Sequence, residues 1–297
     1  MDFLGRVRGL ARLGVGVSTE YGARSASGAL DPLELRARRP DLAGFLELGV
    51  EVDRGLDEDA RRWVASGAPV TYHFLDVNLD EPEDFDRPWL DAVCAVVEEV
   101  SPAWLCGDAG LWHFGPRERG NMLLLPPILT DTAASALAEG IVRLREATGR
   151  EVLPENPPGQ VWVGDLHVLD FFARVCERAD TGMLLDTAHL AIYQRACGHA
   201  PLTGLDGFPC ERVVEMHVAG GRERHHQGLS WIEDGHDVNV LPDTWQIFEA
   251  AVARAANLKA VVFECERNGL EATLPGFERI AATLAGLDLA AMHGGDS

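Results

Sequence analysis

Ten side chains with metal-ligating chemistry occupy equivalent places along this 297-residue chain, each at or just past the end of a short apolar run. His73 closes VTYHF, Asp108 follows AWLCG, and Glu155 with Asn156 closes EVLPE. Asp186 ends GMLLD with His189 three residues on, and His217 lies in EMHVAGG. Asp234 and His236 stand in WIEDGHD, and Glu264 ends AVVFE. Apolar strands rarely end in ionisable groups that face a core, because an unpaired buried charge is costly. A ring of carboxylates and imidazoles at one barrel mouth repels itself unless cations turn the repulsion into coordination. The set offers imidazoles, five carboxylates and one carboxamide, with no thiolate, and so suits iron, manganese or zinc. Nine or ten donors exceed the roughly four of tetrahedral zinc or six of octahedral iron. Two or three ions sharing carboxylates is the economical reading.

Taken singly, each residue has a plainer explanation. His73 alone reads as a hydrogen-bonded core histidine, Asp108 in GDAG as a turn residue, and Asp234 and His236 as loop surface. His113, His225 and His226 read as surface or substrate-facing. Only the shared position at successive strand ends makes the set specific.

The elements that must position these residues follow from the apolar runs. Strands are predicted at 13–18, 45–50, 70–74, 103–107, 151–155, 182–186, 213–218 and 260–264. Their near-continuous apolar character is that of strands buried on both faces. Helices are predicted at 57–66, 89–100, 131–148, 165–178 and 242–256, several with an acidic or hydroxyl cap and a glycine stop. Strand and helix alternate, which predicts an α/β fold with a parallel sheet; eight repeats predict closure into a (β/α)8 TIM barrel. We read 1–297 as one domain, with a barrel core at about 13–285 between short terminal tails. Long loops at 191–212 and 219–241 are expected to build the site.

Charge and composition narrow the function classes. Forty-seven acidic residues against 26 basic ones give a formal charge of −21, which disfavours nucleic acid as a partner. No apolar run reaches the roughly 20 residues of a membrane span, and the start MDFLGRVRGL lacks a secretory pattern. The six cysteines are scattered without a CxxC pair, as expected of reduced thiols in a cytoplasmic protein. Nucleophile-elbow, P-loop and dinucleotide motifs are all absent from the sequence.

The segments TYHFLDVNL, LPENPP, LLDTAHL, EMHVAGG, the Asp-x-His at 234–236 and VFECE, in this order, resemble one family. It is the multinuclear non-haem iron-dependent oxidases, which include the methanobactin-biosynthesis oxidase and relatives that modify peptide cysteines. The resemblance spans about residues 13–280. It implies a xylose-isomerase-like TIM barrel holding two or three irons in mixed Fe2+/Fe3+ states, with dioxygen as oxidant. It also implies that His73, Asp108, Glu155, Asn156, Asp186, His189, His217, Asp234, His236 and Glu264 are the ligands. The implied substrate is a ribosomally made peptide, oxidised at cysteine or less often another side chain. A separate precursor-binding protein often delivers it. One departure stands out: relatives often place a histidine directly after the acid of the fourth strand, where this chain has Ala109. Either the centre holds two irons, or His113 takes that role beside Asp108 as a catalytic residue. Two other readings accompany this one. A divalent-metal sugar isomerase or epimerase needs a Lys or Glu acid/base, and Lys259 is the chain's one lysine. A non-catalytic peptide-binding barrel needs none.

Overall fold

A computed structural model of the chain describes residues 1–19, 28–115, 119 and 123–293, with side chains to 286. The apolar runs form β1 (Gly14–Thr19), β2 (Phe45–Val50), β3 (Val70–Phe74), β4 (Leu105–Asp108), β5 (Val152–Glu155) and β6 (Met183–Asp186). They continue in β7 (Val213–His226), β8 (Leu229–Asp237) and β9 (Ala260–Glu264). β1 to β7 are joined in sequence order by parallel pairing, and β9 pairs with both β7 and β1. Eight parallel strands therefore close on themselves, and the predicted strands lie within two residues of the observed ones except at the end of β7, which runs eight residues past the predicted 218. β8 is outside the barrel, antiparallel to β7.

The helices α2 (Pro32–Arg38), α3 (Glu58–Ala65), α4 (Arg87–Val100), α5 (Asp131–Thr148), α6 (Val168–Ala179), α7 (Thr187–Ala196), α8 (Pro242–Val252) and α9 (Leu270–His293) surround the barrel. Most start where a side chain satisfies the free amides of the first turn. Asp31, Asp57, Asp86 and Thr130 each accept from an amide two or three residues on. α5 ends at Gly149, whose φ of 67° closes the helix in the left-handed region.

Two segments differ from the sequence reading. The basic start is not a tail. Phe3–Arg6 forms a helical turn, α1, whose Phe3 is fully buried with Val7, Trp104, Leu153 and Leu184 at the N-terminal end of the barrel. Arg6 anchors this plug through Glu151 at 2.5 Å and Asp180 at 3.0 Å. The second difference is 219–241, read as a long loop between strands. It is a β-hairpin, since β7 runs on past the barrel and turns at Gln227-Gly228 into β8. Both turn residues have positive φ, which matches the twist of a two-residue hairpin. Part of the other expected loop, 191–212, is the end of α7.

Inward-facing residues of the barrel recur with period two. Trp104, Cys106 and Asp108 climb β4 and its approach, Leu153 and Glu155 climb β5, Leu184 and Asp186 climb β6, and Val262 and Glu264 climb β9. The lower members join one apolar cluster with Phe3. Each series ends in a carboxylate, so the barrel interior turns from apolar to ionisable at its C-terminal end.

Candidate metal centre

Strand register sets the neighbours. Asp108 is level with Glu155, Asp186 with His217, and Ala219 with Glu264. Asp186 also caps α7, accepting from the His189 amide at 2.6 Å, which fixes His189 three residues along at the same mouth. The hairpin delivers the last two residues. Gly221 pairs with Asp234 but Gly220 pairs with Asp237, so Gly235 and His236 form an unpaired bulge. The bulge presses on β7 so closely that a Cβ on Gly220 would lie 2.0 Å from the Asp237 carbonyl.

Glu155 is the hub. Its Oε2 lies 2.8 Å from His73 Nε2, and its Oε1 lies 3.4 Å from both His189 Nδ1 and His217 Nδ1. His217 Nδ1 is also 3.3 Å from Glu264 Oε1. Asp234 Oδ2 joins His189 Nε2 at 3.2 Å to His236 Nε2 at 3.3 Å. Five buried atoms of this cluster have no hydrogen-bond partner: Asp108 Oδ1, Asp186 Oδ2, His217 Nδ1, Asp234 Oδ1 and Glu264 Oε2. So many orphaned donor atoms in one place are what a metal-ligating set looks like without its ions. Among the described residues five groupings place three potential donor atoms within 4.8 Å: His73–Asp108–Glu155, Glu155–Asp186–His189, Glu47–His217–Glu264 and His236–Glu264–Glu266 at the mouth, and Glu47–Cys106–Glu215 below them. Glu47, Glu155 and Glu264 each belong to two groupings, as bridging carboxylates do.

The electrostatics show the same demand for positive charge. Burial alone lowers the pKa of His73, but Glu47 and Glu155 overcome it and raise it to about 9. His189, His217 and His236 are likewise driven well above the ordinary histidine value by surrounding carboxylates, against the effect of burial. Glu155, despite its burial, is held well below the usual carboxylate range by His217, His189 and His73. Burial pushes Asp186 up to about 7, and burial with Glu155 pushes Asp108 well up. Without metal, protons on the imidazoles supply the cations.

A sequence profile of RiPP precursor modification enzymes, described as MbnB/TglH/ChrH, matches residues 34–285. The chain belongs to this family. Its members are enzymes acting on precursors of ribosomally synthesised, post-translationally modified peptides. A UPF0276 protein of Rhizorhabdus wittichii is 26% identical over 227 residues, 75% of this chain and 80% of the relative. The fold is similar to a xylose isomerase-like TIM barrel protein from Mycobacterium smegmatis solved in complex with magnesium. That likeness has a TM-score of 0.59 at 11% identity, covering 97% of this chain and 99% of the other. The IOLI protein solved with a binding zinc atom is similar at a TM-score of 0.52 and 10% identity, covering 93% and 97%. The family and the fold thus agree with the resemblance drawn from the segments.

Nine of the ten sequence-derived ligands converge on this mouth with a side-chain donor turned to the cluster. Asn156 is beside it, but its carboxamide is engaged with β6: Nδ2 donates to the Asp186 carbonyl at 2.9 Å, and Oδ1 accepts from the Asp186 amide at 3.0 Å. It positions Asp186. His113 stands elsewhere. It is fully buried, its Nε2 2.8 Å from Asp84 Oδ2 and its Nδ1–H donating to the Gly115 carbonyl at 2.6 Å. That packing corrects the idea that His113 replaces the histidine missing at Ala109. We expect His113→Ala to leave metal content at the wild-type level while costing about 1–3 kcal/mol, because Asp84 loses a buried partner. Metal analysis beside urea denaturation checks both halves. His225 and His226 lie on the exposed outer half of β7. Lys259 immediately precedes β9, at the opposite end of that strand from Glu264.

Two carboxylates at the centre escaped sequence reasoning. Glu47 sits in the middle of β2 at 2% exposure, and Glu266 follows Glu264 by two residues at 4%. The signal for Glu47 was available: a lone acid inside FLELGV, in phase with the inward residue Phe45.

Proposed function

We propose that the chain is a non-haem iron-dependent, dioxygen-using oxidase that modifies a residue, cysteine foremost, of a ribosomally made peptide. The observation that carries this reading is the set of orphaned imidazole and carboxylate atoms meeting at the open end of the barrel. The donors are nitrogen and oxygen, consistent with iron, and the shared carboxylates suit two or three ions. Each of the four groupings at the mouth has one imidazole, and at Asp108 the neighbouring Ala109 adds none, where relatives often have a histidine. When bound, iron supplies a Lewis acid for a substrate thiolate and a redox partner for dioxygen.

The chain's own residues do the rest. A cavity of about 190 Å³ opens above the cluster, and Leu75, Trp112, Leu124 and Pro158 give it an apolar rim. That rim admits one side chain and sheds water from around it. The Trp112 indole is held by the Asp108 carbonyl at 3.1 Å, so the rim is tied to the strand that bears the acid. Asp108 lines this cavity, its buried Oδ1 has no hydrogen-bond partner, and once ionised the carboxylate is suited to take the proton of an arriving thiol. A net charge of −21 favours a basic peptide segment, with or without a separate delivery protein. No described helix is long and apolar enough to cross a membrane.

The test is metal analysis and electron paramagnetic resonance on anaerobically purified protein, followed by oxygen uptake with a cysteine-containing precursor peptide. We expect at least two irons per chain, a signal that changes on reduction, and peptide-dependent oxygen consumption. Protein that holds only zinc or manganese and is unchanged by iron reconstitution contradicts the proposal.

A further inference from the structure

An imidazole can ligate through either nitrogen, and the partner of the other nitrogen decides which. Glu47 and Glu266, which fall in the same groupings as His217 and His236, are placed to make that decision for these two histidines. Glu47 Oε2 lies 3.0 Å from His217 Nε2. The other nitrogen, Nδ1, has no hydrogen-bond partner and faces Glu264 Oε1 at 3.3 Å and Glu155 Oε1 at 3.4 Å. His236 is turned the opposite way. Its Nδ1 lies 3.0 Å from Glu266 Oε2, while Nε2 faces Asp234 Oδ2 at 3.3 Å and Glu264 Oε1 at 3.7 Å.

Both carboxylates are themselves held from outside the cluster. Glu47 Oε2 also accepts from the Cys106 thiol at 3.3 Å, one step further down the barrel. Glu266 Oε1 accepts from the Ser18 hydroxyl on β1. His236 has a φ of 43°, a conformation unfavourable for a residue with a Cβ, and the Asn268 amide grips its carbonyl at 2.8 Å. The ring is thus aimed by its backbone as well as by Glu266.

We propose that Glu47 and Glu266 are positioning residues: Glu47 turns His217 to bind metal through Nδ1, and Glu266 turns His236 to bind through Nε2. The two rings, on the neighbouring strands β7 and β8, then approach the shared donor Glu264 with different nitrogens. This assignment rests on the metal-centre reading but makes its own claim about which atoms ligate.

The test uses the full chain, labelled with 15N-histidine and loaded with 113Cd(II), a diamagnetic probe ion. Signals are assigned by their loss in His217→Gln and His236→Gln. Nitrogen NMR is expected to show cadmium coupling at His217 Nδ1 and His236 Nε2, with a proton on the opposite nitrogen of each ring. Glu47→Gln and Glu266→Gln keep an acceptor oxygen and should preserve the pattern. Glu47→Leu should abolish or move the His217 coupling while leaving that of His236, and Glu266→Leu should do the reverse. Coupling at His217 Nε2 or His236 Nδ1 overturns the assignment, as does an unchanged pattern in both leucine variants. If a leucine variant does not fold, the wild-type spectrum decides alone. Wild-type protein that takes up neither cadmium nor iron overturns the metal centre itself, a different failure from loaded protein with the wrong nitrogens bound.

Discussion

Glu155→Ala is expected to strip metal from the centre and to destabilise the metal-free protein at the same time. The carboxylate is 1% exposed and within 3.4 Å of three imidazoles, those of His73, His189 and His217. It also belongs to two of the ligand groupings, so its loss removes a donor from both. Losing even an outer-shell partner typically costs about 10–100-fold in metal affinity, and a shared direct donor should cost more. In the metal-free protein the same change leaves three buried cationic rings without their common anion. Breaking a buried ion pair from one side costs about 3–5 kcal/mol. Glu155→Gln, which keeps volume and hydrogen bonding but not charge, should show the metal loss with a smaller packing penalty. The measurements are metal per chain by mass spectrometry and urea denaturation in chelator. A Glu155→Ala protein that retains the wild-type metal content would remove Glu155 from the centre.

Much of this centre was legible in the sequence because a barrel strand must end somewhere, and its end is visible. An apolar run closing in a carboxylate, as in LLD before Thr187 or VVFE before Cys265, marks both the strand terminus and the residue aimed into the mouth. Glu47 lay hidden for the complementary reason: it is inside its run, two residues short of Gly49, and looks like noise in an apolar strand. Only the closed barrel shows that β2 carries it beside His217. The plug by Phe3 was illegible because a four-residue helix has too few turns to show periodicity, and its burial depends wholly on the hollow beneath the barrel. His113 misled in the other direction. Four residues past Ala109 it looked available, but its Nδ1 is committed to the Gly115 carbonyl and its Nε2 lies 2.8 Å from Asp84, a contact that proximity in sequence could not reveal.

The metal-free protein should lose stability as pH rises from about 6 to 9, while metal loading should stabilise it progressively more over the same interval. His73 is raised to about 9 in the fold, so its contribution is fully present below the ordinary histidine value of 6.5 and is lost as pH climbs through 9. That shift alone is worth on the order of 3 kcal/mol. Two carboxyl groups add to the same slope. Asp186, raised to about 7 by burial, and Glu215, raised to about 8 by burial and by Glu47, stay protonated in the fold where the unfolded chain would ionise them. The penalty they impose grows from their ordinary values up to 7 and 8. On the acid side, Glu155 and Asp234 are held below their usual values by the surrounding histidines, so their contribution is present above about pH 4 and is lost on further acidification. The metal-free optimum therefore falls on the acidic side of neutrality. Metal binding reverses the trend, because ions must displace the protons on the imidazoles and that exchange becomes easier as protons become scarce. Thermal melts in chelator and with iron or zinc, from pH 5.5 to 9, should diverge by several degrees at the alkaline end. A metal-free melting temperature that is flat or rising between pH 6 and 9 would show that the four histidines are not the cations that hold the empty centre together.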